Sequence, residues 1–193
     1  MKKGFTLIEL LVVIAILAVL ATAVILIINP AELIRQARDS TRISDLAALS
    51  SAVSLYLSDV ATPYLGGPST SCSNAARCTS GTTEFFSGIV GCSTYTTTTV
   101  DGNGWVSVDF TDISSGSPLS RLPLDPNNGA ASGDCAEDGT AICFYSFGCN
   151  STNYEINAVM ESKKFAKGGG SAVENVDGGD QSDIYEVGNK LDL

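Results

Sequence analysis

The chain has 193 residues, of which 44% are hydrophobic, and its 21 acidic side chains outnumber 11 basic ones, giving a formal net charge of −10. This excess of acid excludes a general nucleic-acid-binding role, because phosphate binding needs clustered Lys and Arg. The absence of histidine excludes Ser-His and Cys-His catalysis and the usual His-bearing metal centres. No other catalytic set stands out, and we predict that the protein is not an enzyme.

The hydrophobic residues are concentrated near the N-terminus. From Leu10 to Ile28 the only polar side chain is that of Thr22, whereas the later chain is rich in Gly, Ser, Thr, Asn and Asp. As a helix, residues 5–28 would reach about 36 Å, which is enough to cross a bilayer. Lys2 and Lys3 favour a cytoplasmic N-terminus, with the remaining chain across the membrane. The composition therefore predicts one membrane segment followed by one soluble domain.

Two general interpretations fit this segment. It has the basic start, apolar core and small-x-small site, Ala21-Thr22-Ala23, of a secretory signal peptide. Against that interpretation, the apolar run continues beyond the site, and Glu9 lies where the apolar core should begin. The second interpretation is an uncleaved membrane anchor, with Glu9 near the membrane interface.

A third interpretation rests on the stretch "KGFTLIELLVVIAILAVLA", which closely resembles the class III signal of type IV pilins and pseudopilins. In that family a short basic leader ends in glycine and is cut before a phenylalanine, and a glutamate follows four residues later. Those positions are Gly4, Phe5 and Glu9 here. The resemblance implies that a prepilin peptidase cleaves after Gly4 and that the new amine of Phe5 is methylated. A mature N-terminus at Phe5 would support it, whereas Val24 would indicate ordinary secretion and Met1 a plain anchor.

The resemblance gives Glu9 a function. An unpaired carboxylate in lipid or in a helical bundle is unfavourable, and cleavage would create an amine on Phe5 at the i,i+4 spacing at which helix side chains meet. The amine of a neighbouring subunit would serve equally, and such a pair would fix the stagger of packed helices. We therefore predict processing at Gly4 and Phe5, and assembly roles for Phe5, Glu9 and Pro30.

Asn29 and Pro30 follow the apolar run. Proline either kinks a helix or starts a new one, here with Asn29 as N-cap; the family resemblance favours a bend. Beyond Pro30, apolar residues recur at helical spacing (Ile43, Leu46, Val53, Leu57), which predicts that this helix packs on a globular core. The predicted organisation is a leader at 1–4, an apolar helix at 5–28, its amphipathic continuation at 29–58 and a globular head at 59–193.

The head is predicted to be small and α+β. Strand-like segments lie at 104–110, 141–147, 153–161 and 184–191, with a hairpin between the second and third, and 84–91 is either a strand or a short helix. Residues 59–104 are rich in turns. The predicted fold is that of the type IV pilins, in which a long N-terminal helix packs on a small antiparallel sheet with disulfides.

The cysteines all lie beyond residue 70: Cys72, Cys78, Cys92, Cys135, Cys143 and Cys149. Their even number in the part expected outside the membrane predicts disulfides, with 15 possible pairings left open. A zinc site is disfavoured, because there is no CxxC pair and no histidine.

The stretch "VDGGDQSD" places Asp177, Asp180 and Asp183 in a glycine-bearing loop. Clustered oxygens suit calcium, and some major pseudopilins bind calcium in a C-terminal loop. The spacing does not fit an EF-hand, and a solvated acidic turn explains the residues equally well. We predict no cofactor and keep calcium as a minor alternative.

Together these observations predict a structural, major-pilin-like subunit of a type IV pilus, a helical polymer of the chain with itself. The resemblance implies a prepilin peptidase, an assembly platform and an ATPase as further partners. It also implies a single-pass precursor in the bacterial inner membrane and then an extracellular filament. A pseudopilin of a type II secretion or competence system is the nearest alternative, and a membrane-anchored binding domain is a more distant one.

Overall fold

The computed structural model of the chain describes residues 4–66, 75–81, 85–89, 91–130, 135 and 142–193. The chain divides into two compact units, Met1–Ile34 and Arg35–Leu193. Its elements are α1 (Leu7–Ile28), α2 (Pro30–Asp59), β1 (Ala75–Cys78), β2 (Cys92–Thr94), a 3-10 helix (Phe110–Asp112), β3 (Tyr145–Asn150), β4 (Asn153–Ala158) and β5 (Tyr185–Gly188).

Helix α2 is amphipathic. Its apolar side chains at helical spacing, Leu46, Leu49, Ala52, Val53 and Tyr56, are all buried. Together with one face of the sheet they form the main core of the head. This arrangement confirms the predicted packing of an amphipathic helix on a globular core.

The sheet has five strands in the order β2-β1-β3-β4-β5. β3 and β4 form the predicted hairpin, in which Asn150 pairs with Asn153 across a two-residue turn and Ser151 adopts a left-handed φ of 60°. β5 extends the sheet antiparallel to β4. At the other edge β1 is antiparallel to β3 and parallel to β2, so the sheet is mixed rather than wholly antiparallel.

Both faces of the central strands are buried. The side chains of Tyr145 and Phe147 on β3 and of Ile156 on β4 belong to the core against α2. On the opposite face a second apolar cluster gathers around Phe85, Phe144 and the other residues of its group (Phe86, Ile89, Val159, Ile184). The head is therefore built in layers, with the sheet in the middle.

The segment 104–110 is not a strand, contrary to the sequence prediction. Four consecutive residues, 105–108, are buried, which does not fit an alternating half-exposed strand. The segment is instead hydrogen-bonded to neighbouring loops, from Trp105 N–H to the Thr97 carbonyl (3.1 Å) and from Phe110 N–H to the Val100 carbonyl (2.8 Å). A Cβ on Gly104 would lie 2.4 Å from the Thr99 carbonyl oxygen, so only glycine permits this close approach.

Two of the strands were not predicted. β1 and β2 fall in the region predicted to be turns, and both are short and poor in β-branched residues. A disulfide between Cys78 and Cys92 joins them, with their Cα atoms 5.8 Å apart. The described residues of 84–91 form neither a helix nor a strand.

The disulfide prediction is confirmed. In addition to Cys78–Cys92, Cys135 is bonded to Cys143 with a Cα–Cα distance of 5.3 Å. Cys149 is disulfide-bonded as well, whereas Cys72 lies outside the described residues. With its long N-terminal helices, five-stranded sheet and disulfides, the architecture confirms the predicted α+β class and matches the pilin fold.

Candidate functional site

The residues at the predicted processing site are accessible. Gly4 is exposed, and no atom of the described chain lies within 4 Å of the position that a Cβ would take there. The Phe5 side chain is 82% exposed. Both residues precede α1, so the peptide bond between them lies outside regular secondary structure.

Helix α1 begins with a capping box. Thr6 is the N-cap, and its hydroxyl accepts a hydrogen bond from Glu9 N–H (3.3 Å). The Glu9 carboxylate reaches back and accepts from Thr6 N–H (2.9 Å) and from the Thr6 hydroxyl (2.7 Å). In the precursor, Glu9 therefore satisfies the N–H and hydroxyl donors of the N-cap residue of its own helix.

The role of Thr6 was missed in the sequence analysis, although a signal was present. Thr6-Leu7-Ile8-Glu9 is the S/T-x-x-E pattern of a capping box before an apolar run. The pattern also explains why α1 begins at Leu7 rather than at Phe5. A carboxylate in the first turn is further stabilised by the helix dipole.

An apolar depression lies at the N-terminal end of α1. It is bordered by Phe5, Ile8, Glu9, Val12 and Val13, which share one side of the N-terminal part of α1. Farther along the helix, the described large apolar side chains are also exposed by about half or more (for example Leu17, Val19 and Ile25). A helix with this surface requires lipid or other helices around it.

Among the described residues, one helical run, Leu7–Asp59, contains a stretch long and apolar enough to cross a membrane. The single polar residue in the middle of that stretch is accommodated locally, because the Thr22 hydroxyl donates to the Val19 carbonyl of its own helix (2.8 Å). A hydroxyl satisfied in this way can lie in hydrocarbon.

The helix is interrupted at Asn29, which caps the C-terminus of α1 in a left-handed conformation (φ 44°, ψ 76°) and donates to the Ile25 carbonyl (3.3 Å). Pro30 is the first residue of α2, a position at which the missing N–H removes no helical hydrogen bond. The Asn29 carbonyl accepts from Glu32 N–H (3.0 Å). Pro30 thus starts a new helix here, and its role in assembly stays a prediction.

A buried ionic network joins Asp39 and Arg42 of α2 to two loops of the head. The Arg42 guanidinium donates to both oxygens of Asp125 (2.7 Å each), to Asp39 (2.6 Å) and to Glu161 (3.0 Å). Burial lowers the pKa of Arg42, but its hydrogen bonds and the charges of Asp125 and Asp39 outweigh that effect and raise it above its ordinary value. Arg42 therefore remains a cation and holds the surrounding carboxylates in place.

The three aspartates proposed as a calcium site each have a different partner. The Asp177 carboxylate accepts from the N–H groups of Gly179 (3.0 Å) and Glu186 (2.8 Å). Asp180 accepts from the Ser87 hydroxyl, and Asp183 pairs with Lys167 at 2.5 Å. Within the described ranges, no three acidic, His or Cys residues are grouped so as to hold a metal ion.

Two glutamates beside this loop have raised pKa values. Glu155 and Glu186 are buried on neighbouring strands. Burial and the charges of Glu155, Asp177 and Asp180 raise the pKa of Glu186 to about 8, despite a hydrogen bond from Gln181 N–H. Burial also raises the pKa of Glu155. Near neutral pH the carboxyl group of Glu186 therefore keeps its proton.

Comparison with known proteins bears on the N-terminal segment alone. Residues 1–25 match a family model described as the prokaryotic N-terminal methylation motif. No curated protein and no solved structure matches the chain. The match covers the predicted processing residues and the capping box, and it supports a place in the type IV pilin-like and pseudopilin family. The N-terminal segment of this chain therefore carries the prokaryotic N-terminal methylation motif, which the resemblance to class III signal peptides predicted.

Proposed function

We propose that the protein is a structural subunit of a type IV pilus, made as a membrane precursor, cut between Gly4 and Phe5 and polymerised through α1. One observation carries the proposal: an exposed apolar helix begins with a single carboxylate, Glu9, five residues after the glycine of a methylation motif. A prepilin peptidase, an assembly platform and an ATPase are the partners that this function requires.

The carboxylate supplies specificity more than net stability. Lipid tails are as apolar as the side chains of α1, so moving the helix from bilayer to filament gains little hydrophobic free energy. A cation on the Phe5 amine of a neighbouring copy would pair with Glu9 only at the correct stagger, because any offset leaves both charges unpaired. Repetition of such a heterologous contact generates a fibre.

The internal contacts of Glu9 are compatible with this step. Its carboxylate already accepts two hydrogen bonds from Thr6, and a carboxylate has about four acceptor sites. A second partner can therefore be added without breaking the capping box. The choice of a pilus over a pseudopilus rests on the disulfide-bonded head and its Ser- and Thr-rich segments.

The test is Glu9→Leu in the native host, with Thr22→Val as the matched control in the same helix. We expect Glu9→Leu to insert in the membrane but to yield few filaments in sheared surface material. Thr22→Val should assemble normally, because the Thr22 hydroxyl bonds within its own helix. Normal filament yield from Glu9→Leu would refute the assembly mechanism.

Two further measurements bear on the rest of the proposal. Mass spectrometry of the wild-type protein should show N-methylated phenylalanine at the mature N-terminus, and Val24 or Met1 there would refute processing at Gly4. Electron microscopy should show long surface filaments; very short ones would identify a pseudopilus instead.

A further inference from the structure

The head carries basic and acidic groups at opposite ends of the part of α2 that belongs to it, residues 35–59. The basic end consists of Arg35, Lys163 and Lys164, and the acidic end consists of Asp59, Asp109 and Asp112. Along the helix axis, Arg35 and Asp59 are about 36 Å apart at 1.5 Å per residue. This distance is several times the Debye length of about 8 Å at physiological ionic strength, so the two ends do not neutralise each other within one copy.

The basic end is held in a defined place. Asp39 on α2 accepts hydrogen bonds from the N–H groups of Glu161 and Ser162 (2.8 Å each), which positions the following lysines near Asp39, in the part of the helix that belongs to the head. Lys163 and Lys164 are exposed. Neither forms an ion pair with any residue that the structure describes, although the Lys164 ammonium lies 4.8 Å from the centre of the Phe165 ring.

The turn that carries these lysines is tightly bonded. The Lys164 carbonyl accepts from Ser171 N–H (3.0 Å), and the buried Glu174 carboxylate accepts from Met160 N–H and Lys167 N–H (2.8 Å each). The backbone of Gly169 packs against that of the two lysines: a Cβ at this position would lie 2.3 Å from both of their carbonyl oxygens. The two ammonium groups are therefore presented from a fixed backbone, which reduces the entropy lost when they bind.

The acidic end is equally well defined. Both oxygens of Asp59 accept hydrogen bonds from Ser114, one from its N–H (2.6 Å) and one from its hydroxyl (2.8 Å). This contact fixes the turn that follows the 3-10 helix and holds Asp112 near the end of α2. Asp112 is exposed and Asp109 is half-buried. None of the three carboxylates is in an ion pair with another described residue.

We propose that the basic end of one head binds the acidic end of another copy, so that charge complementarity sets the head-to-tail contact in the filament. The proposal rests on the proposed function, because only a polymer brings the two ends together repeatedly. A second copy is favoured over nucleic acid by the net charge of −10 and by the matching acidic surface. Complementary charges of this kind act chiefly on register and on the rejection of wrong contacts.

The first experiment is carbodiimide cross-linking of intact wild-type filaments, which joins a lysine amine to a carboxylate in direct contact. We expect peptides that link Lys163 or Lys164 to Asp59, Asp109 or Asp112. Absence of those links, with other lysine–carboxylate links present, would overturn the proposal.

The second experiment is charge reversal. Lys163→Glu with Lys164→Glu should lower filament yield about tenfold or more, since like charges opposed across an interface cost several kcal/mol. The control, Arg121→Glu with Lys190→Glu, changes the net charge equally at one exposed and one half-buried base away from the basic end and should assemble normally. Adding Asp59→Lys and Asp112→Lys to the first variant should restore the yield. Because Asp59 also bonds Ser114, Lys164→Glu with Asp112→Lys repeats the exchange without disturbing that contact.

The outcomes separate this inference from the proposed function. If both charge exchanges fail to restore filaments in protein that folds normally, the head-to-tail contact is wrong. Normal yield from the double lysine variant, together with weaker binding to phosphatidylglycerol vesicles, would instead show that the basic end contacts anionic lipid. In either case Glu9→Leu still decides whether the chain assembles through α1.

Discussion

Replacement of Arg42 by methionine tests the buried ionic network most directly. The substitution keeps much of the side-chain volume but removes the cation that hydrogen-bonds Asp39, Asp125 and Glu161, of which Glu161 alone keeps a bond to a second arginine, Arg38. All four of these side chains are inaccessible or nearly so, and removal of one partner from a buried ion pair costs about 3–5 kcal/mol. That is roughly half of the free energy of unfolding of a typical domain.

The assay is urea unfolding of the full chain in detergent micelles, followed by fluorescence. The chain has one tryptophan, Trp105, which is fully buried in the head, so the signal reports the head alone. With a urea dependence of about 2 kcal/mol per molar, the midpoint should fall by about 2 M. The control is Arg38→Met, which removes one bond to Glu161 from a partly exposed arginine and should cost about 1 kcal/mol or less. A shift for Arg42→Met no larger than that of the control would refute the reasoning.

Two further predictions concern the acidic loop region. The pKa of Glu186 is about 8 in the folded head and about 4.5 when unperturbed, so the folded state binds the extra proton and its stability should fall as pH rises through that window. Glu186→Gln should flatten the pH dependence of the urea midpoint, and an unchanged slope would contradict the assignment. For calcium, whose candidate ligands Asp177 and Asp183 already have partners, we expect millimolar addition to leave the melting temperature unchanged. A calcium-dependent rise would revive the site.

The N-terminal third of the chain is the part that sequence predicts best. Its apolar run and the pattern around Gly4, Phe5 and Glu9 are local, so the helix could be predicted from neighbouring residues, whereas membrane insertion and processing stay predictions. The capping box of Thr6 and Glu9 could have been predicted from the same local pattern. The break at Asn29 was predicted as well, although the structure favours a new helix beginning at Pro30 over a bend of one helix.

The head was predicted less completely. The hairpin of β3 and β4 is local and was predicted, whereas the parallel pair of β1 and β2 was not; it is joined by the disulfide Cys78–Cys92, one of the pairings that the sequence left open. Apolar and polar side chains alternate along the segment 104–110 as they do in a strand. The segment is nevertheless buried among loops and forms its backbone hydrogen bonds with them. Pairing choices of this kind depend on which surfaces the rest of the chain covers, and local propensity does not encode them.

The sequence by itself determined the methylation motif, the apolar helix, the even number of cysteines and the acidic balance, since all four are set by residue type and spacing. Only the tertiary structure decided which charges act together. Arg42 meets Asp125 and Glu161, and Ser162, the residue before Lys163, bonds Asp39 of α2, because folding brings together segments that are about 80 to 120 residues apart. Charge interactions depend on distance and burial, and neither quantity exists until the chain has folded.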